Sequence, residues 1–310
     1  MKSVAIPRYY KNASSLGFWG AKYEAILNEL LKEQFISLDD IKYCDVADEE
    51  DLHLIHSWKY LQDLNEKTLT QEELEMLEIP LTEETLKFYL SSVEATIEAS
   101  RMALDLGVGI NIGGGWHHAY TAMGTGFCML NDIAVATRKL LDAKSAQRIL
   151  IIDLDVHQGD GTAKIFEHEK QIFTFSMHQK HLFPYRKQRS SLDVELEDGC
   201  DDKTYLRLLT DNLPIIANDF KPDFIFYMAG ADSYKDDRLG GLKLSMSGLK
   251  KRDEAVFKFA QTKHNIPICV TLAGGYANKF EELVNIQSTT VKLGLDLQVE
   301  MLNKHEKQQL

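Results

Sequence analysis

The chain has 310 residues, 44% of them hydrophobic and 26% charged, with a formal net charge of −12; that is ample apolar content for a large core. The acidic balance argues against direct binding to the phosphate backbone of nucleic acid and is read first as a solubilising surface, though it also suits a basic substrate such as a lysine-rich peptide. No apolar run approaches the roughly 20 residues that span a bilayer, "MKSVAIPRYY" lacks the apolar core of a secretory signal, and Cys44, Cys128, Cys200 and Cys269 are scattered without a C-x-x-C pair, so the expectation is a cytoplasmic protein with reduced thiols.

The first third reads as helical. Residues 18–35 place Tyr23, Ile26, Leu27, Leu30 and Leu31 on one stripe. Residues 47–64 open with acids, as a helix start does. Residues 82–107 form a long periodic stretch that Gly107 can stop. After Gly107 the pattern changes to apolar strands alternating with helices. Strands are expected at 108–112, 148–155, 171–177, 223–230 and 267–275, with helices at 128–143, 162–169, 202–220 and 247–264 and a last one from about Lys279. Pro214 is expected to interrupt the helix over 202–220, and "NKHEKQQL" to be a frayed polar end. Continuous apolar strands alternating with helices predict an α/β fold, its central sheet mostly parallel and covered on both faces. The whole chain, 1–310, is read as one domain whose helical third, 18–107, packs on the α/β core.

Four of these strands end in chemically active residues. "NIGGGWHHA" ends in His117 and His118, "IIDLDVHQGD" in Asp153, Asp155, His157 and Asp160, "FYMAGADS" in Asp232, and "TLAGGYAN" in Tyr276. In a parallel sheet all carboxyl ends lie on one edge, where open α/β sheets bind ligands. Asp155 and His157, two residues apart, project to the same side of an extended backbone and suit a divalent metal. Asp232 is the natural third ligand, because a lone carboxylate among small apolar residues is costly. Three protein ligands with one open position describe a catalytic zinc site. His117 and His118, after three glycines, can flank one reacting centre. Each needs a partner for its other ring nitrogen, and Asp153 and Asp160 can supply both. The Tyr276 phenol can donate to a polarised carbonyl oxygen.

With these residues assembled, the sequence resembles the zinc-dependent histone deacetylase family, through "GGGWHHA", "GTGFCMLND", "IIDLDVHQGDGTA", "AGADS" and "LAGGY" in order and spacing. The class IV (histone deacetylase 11-like) branch looks closest, on "ADEEDLHLIHSWKYLQDL" and on residues 236–257. The resemblance covers roughly Pro7 to residue 295. It implies an arginase/deacetylase fold with a central parallel sheet of about eight strands. It implies one catalytic Zn²⁺ on Asp155, His157 and Asp232, His118 as general base and acid, and His117 as a mainly electrostatic second histidine. Asp153 matches the partner of His117, Asp160 the partner of His118, and Tyr276 the tyrosine that polarises the acyl carbonyl. Gly126 and Phe127 match one wall of the acyl-lysine tunnel, and Phe183 the opposite wall. The family's structural cation, K⁺, would use Asp153 and Ser176 with backbone oxygens of Asp155, His157 and Met177. Asp160 stands where many class II and class IV members carry asparagine, so this relay is of the class I kind.

The implied reaction is hydrolysis of an N-ε-acyl-lysine amide in a protein or peptide, with acetyl and longer fatty acyl groups both open. An acetylpolyamine amidohydrolase is an alternative, since lysine and polyamines share an alkylammonium stem. A non-catalytic acyl-lysine-binding relative is another, although the complete metal, histidine and tyrosine set argues against it. A nucleotide-binding reading is weak, because "GTGF" is not a G-x-G-x-x-G loop.

Overall fold

Eight strands make one sheet, in the order Ile41–Cys44, Val4–Pro7, Val108–Asn111, Ile268–Thr271, Phe224–Met228, Ile149–Asp153, Ile172–Gln179 and Leu192–Leu196, and every strand pair in it is parallel. The computed structural model describes residues 2–16, 20–261 and 265–308. In chain order the elements are β1 (Val4–Pro7), α1 (Lys22–Lys32), β2 (Ile41–Cys44), α2 (Glu49–Leu52), α3 (Trp58–Glu66), α4 (Gln71–Leu77), α5 (Glu83–Leu106) and β3 (Val108–Asn111). Then come α6 (Asp132–Asp142), β4 (Ile149–Asp153), α7 (Asp160–Ile165), β5 (Ile172–Gln179), β6 (Leu192–Leu196) and α8 (Asp202–Asp219). The last four are β7 (Phe224–Met228), α9 (Met246–Ala260), β8 (Ile268–Thr271) and α10 (Phe280–Gln308).

The strands are apolar throughout because each has two faces to bury. Leu150 and Ile152 of β4, with Ile225 and Tyr227 of β7, join the core that α1, α8, α9 and α10 cover. Ile149 and Ile151, with Phe224, Phe226 and Met228, join the other core, under α3, α5 and α6. Helix α5 is set between strong boundaries. Thr82 caps it in a reciprocal box with Thr85, and Gly107 ends it in the left-handed region at φ 81°.

The observed elements correct several expectations. The first third is not wholly helical, for it contributes β1 and β2. These are four-residue strands with no periodic signal, and β1 ends in a proline. The helix expected over 47–64 is two, because Ser57 interrupts it and its hydroxyl accepts from the Tyr60 N–H at the start of α3. The start of the expected 18–35 helix and the end of the 247–264 helix fall partly outside the described residues. Pro214 does not interrupt α8. It sits on the exposed face, while Tyr205, Leu209, Leu213 and Ile216 hold the opposite stripe in the core, so water can satisfy the carbonyl that proline leaves unpaired. Helix α10 runs to Gln308, through most of the stretch expected to fray.

Candidate active site

The four strands read as carrying chemistry are consecutive in the sheet: β3, β8, β7 and β4. Their carboxyl ends therefore open into one cleft. Its cavity, of about 560 Å³, is lined by the exposed Glu78, His181 and Tyr185, by both histidines, and by the buried Lys22, Tyr23 and Tyr89.

Asp155, His157 and Asp232 come together as expected, each offering a donor atom within 4.8 Å of the others. The route differs from the expected one. Strand β4 ends at Asp153, so Asp155 and His157 lie beyond it on a turn and not on alternating strand positions. Carboxylates hold that turn: Asp153 accepts from the Asp155 N–H at 3.2 Å, Asp155 from the His157 N–H at 3.0 Å, and Asp232 from the Val156 N–H at 2.8 Å. The His157 Nδ1 stands 3.1 Å from Asp155 Oδ1 and 3.3 Å from Asp232 Oδ2.

The donor set fits a divalent cation. Asp232 is wholly buried, and apart from the 3.3 Å contact with His157 Nδ1, which lacks hydrogen-bond geometry, its Oδ2 has no partner among the described residues. A buried carboxylate oxygen left so is costly unless a cation meets it. Burial, and then the neighbouring Asp155 charge, push the Asp232 carboxyl up to about 7. Space is reserved as well: a Cβ on Gly274 would stand 2.2 Å from Asp232 Oδ2 and 2.5 Å from Asp155 Oδ2.

The two histidines lie beside this set with ring centroids 4.1 Å apart and planes tilted by 54°. His117 Nδ1 lies 2.8 Å from Asp153 Oδ2, and His118 Nδ1 lies 2.6 Å from Asp160 Oδ1. These are the pairings the sequence suggested. Their surroundings separate the two rings. For His117, burial works against the charged form, but the Asp153 and Asp155 carboxylates prevail and raise it to about 9. For His118, burial and then the His117 charge prevail over Asp160 and lower it to about 4. At neutral pH one imidazole is charged and its neighbour is a neutral base.

Phe127 and Phe183 line the cavity. Phe183 meets the His118 ring edge-on at 4.9 Å, and the Phe127 and Tyr276 rings are 6.2 Å apart. Phe127 adopts φ 65°, uncommon for a bulky side chain, directly after Gly126 at φ 53°. Ser176 pairs in register with Asp153 across β4 and β5, and its hydroxyl lies 2.9 Å from His178 Nδ1.

Sequence reasoning passed over several residues that build the site. Asp132, inside the quoted "GTGFCMLND", accepts from the Gly115 N–H at 2.9 Å and the Trp116 N–H at 2.8 Å, and so anchors the histidine loop. Tyr120 donates to Asp160 Oδ2 at 2.7 Å. Asp237 accepts from the Tyr276 N–H at 2.6 Å and from the N–H groups of Leu239 and Gly240. Lys22 is buried in the cavity wall, where its ammonium donates to the Ala273 carbonyl at 2.8 Å; burial lowers it to about 8. An aspartate opening a helix was available as a signal for Asp132. Lys22 offered none, because a lysine in an amphipathic stripe reads as solvent-facing.

Comparison with known proteins agrees with this geometry. The histone deacetylase domain profile matches residues 19–290. An uncharacterized protein of Picosynechococcus sp. is 39% identical over 263 residues, covering 85% of this chain and 87% of that one. Histone deacetylase 2 of Arabidopsis thaliana is 31% identical over 268 residues, covering 84% of this chain and 69% of its own. The crystal structure of an HDAC homolog complexed with SAHA aligns at a TM-score of 0.80 with 22% identity, over 98% of this chain and 89% of that one, and so shares the fold. The sheet and its buried carboxylate–imidazole cluster define a metal-dependent amidohydrolase of the arginase/deacetylase fold. The chain belongs to the histone deacetylase family.

Proposed function

We propose that this chain removes acyl groups from the N-ε-amine of lysine in proteins or peptides, with one zinc ion at Asp155, His157 and Asp232. The observation that carries the reading is the convergence of three donors within 4.8 Å beside two carboxylate-paired histidines, at a cavity lined by Asp155, His157 and Tyr276. Bound there, the ion supplies Lewis acidity toward the acyl oxygen and an attacking water. The neutral His118 takes the proton from that water as its oxygen bonds to the acyl carbon, and Asp160 and Tyr120 hold the imidazole in place. His117, paired with Asp153, is the second, mainly electrostatic histidine beside the reacting carbonyl. The Tyr276 hydroxyl donates to the developing oxyanion. When the carbon–nitrogen bond breaks, a protonated histidine returns the proton to the leaving lysine amine. Phe127, Gly126 and Phe183 form the tunnel around the lysine stem.

The cavity is large, about 560 Å³, and its lining includes the buried Tyr23 and Tyr89 as well as the histidines, which supports acceptance of acyl chains longer than acetyl. Residues 236–257, part of the class IV likeness, include the Asp237 that holds Tyr276, and we place the chain in that branch. A structural potassium ion on Asp153 and Ser176 belongs to the same reading and is supported by their in-register pairing. The four free thiols fit a cytoplasmic setting; among the described residues no helix is long and apolar enough to cross a membrane. The test is a panel of lysine peptides bearing acyl chains of increasing length, assayed with zinc-loaded enzyme. Zinc-dependent release, still efficient well beyond acetyl, is expected. Hydrolysis of an acetylpolyamine assayed alongside, with none of the lysine peptides cleaved, would replace the lysine reading.

A further inference from the structure

Arg252 of α9 is wholly buried, an expensive place for a guanidinium unless every donor has a use. Its Nη1 donates to the Gly230 carbonyl at 2.5 Å and reaches the Leu154 carbonyl at 3.4 Å. Its Nε donates to Asp253 Oδ1 at 2.9 Å, and Nη2 makes a 2.8 Å ion-pair contact with the same oxygen, off the direction of a good hydrogen bond. Asp253 is itself fixed, accepting from the Tyr227 hydroxyl and the Thr290 hydroxyl at 2.5 Å each. The guanidinium is thus anchored through Asp253 on two elements, β7 and α10, and points Nη1 at two carbonyls.

Those carbonyls belong to the chains that carry the metal ligands. Leu154 precedes Asp155 and Gly230 stands two residues before Asp232, both past the ends of β4 and β7. The two chains part there from the regular strand ladder, and Arg252 bridges them. Gly230 also lies against both carboxylates, since a Cβ on it would stand 2.5 Å from Asp155 Oδ2 and 2.9 Å from Asp232 Oδ1. A shift of the Gly230 peptide would displace both ligands at once.

We propose that Arg252 is a positioning residue for the metal centre: its guanidinium, braced by Asp253, fixes the spacing of the two chain ends that present Asp155 and Asp232. The proposal rests on the reading of these residues as the zinc site. Its alternative is that the pair merely fills space, in which case a neutral replacement would leave metal binding intact.

The test measures zinc affinity by competition with a chelating dye, together with the thermal midpoint of the zinc-free protein. The double substitution R252M/D253N removes both charges, keeps comparable volume and leaves an acceptor for Tyr227. Its zinc-free midpoint should stay near that of the wild type, while its zinc dissociation constant rises about 10- to 100-fold, the usual effect of losing a group that orients metal ligands. R252K keeps a charge on Asp253 but cannot span both carbonyls, and should weaken zinc about tenfold. It also serves if the double variant does not fold. Zinc affinity within twofold of wild type in a folded variant overturns the proposal. Failure of the wild type itself to bind zinc would instead overturn the reading of the site.

Discussion

At the residue scale, the site depends on neighbours giving identical side chains different tasks. Asp155 and Asp232, with His157, bring donor atoms within 4.8 Å of one another, whereas Asp153 and Asp160 each hold an imidazole. Tyr276 tests the division of labour, because its phenol is assigned a bond made chiefly as the oxyanion forms. Tyr276→Phe should lower kcat by about 10²–10³ with zinc affinity unchanged; turnover near that of the wild type, measured on an acyl-lysine peptide, would remove the assigned role. The residues with chemical groups were legible because D-x-H, HH and GADS place metal ligands and bases where an apolar strand ends. Those that hold them were less so. Asp132, Asp237 and Arg252 act through backbone groups brought near by folding, and such partners leave no fixed spacing in a sequence.

At the element scale, the continuous apolar strands β3, β4, β5, β7 and β8 and the capped α5 could be read ahead of the structure, since burial on two faces and a stop at Gly107 leave local signatures. Strands β1, β2 and β6 could not: β1 is only four residues long, and the edge strands β2 and β6 are short and mixed in polarity, so that pairing rather than local pattern fixes their place. The break between α2 and α3 carries its own prediction. His56, in that break, is buried, and its Nε2 accepts from the Asn131 N–H at 3.1 Å, the residue that caps α6. Burial lowers this imidazole to about 4. The unfolded chain, with an ordinary imidazole near 6.5, binds the proton first as pH falls. Stability tied to His56 is therefore complete above about pH 6.5 and is lost progressively down to about 4, on the order of 3 kcal/mol in all. Thermal midpoints measured across that range should fall more steeply for the wild type than for His56→Gln. Parallel curves would contradict the assignment.

At the scale of the whole molecule, eight parallel strands bring segments from residues 117 to 276 to one edge, where two buried carboxylates and His157 form a candidate cation site. Zinc at about a thousandfold above its dissociation constant should add roughly 4 kcal/mol to stability and raise the melting temperature on the order of 10 °C. A melting temperature indifferent to zinc and chelator would mean that the ion binds elsewhere or not at all. The most direct test joins metal to chemistry: zinc is stripped with a chelator and returned in measured amounts while hydrolysis of an N-ε-acyl-lysine peptide is followed. Activity should be absent in the stripped protein, rise linearly to a plateau at about one zinc per chain, and fail to return in Asp232→Ala. Full hydrolysis by metal-free protein, or recovery in Asp232→Ala equal to that of the wild type, would contradict the account.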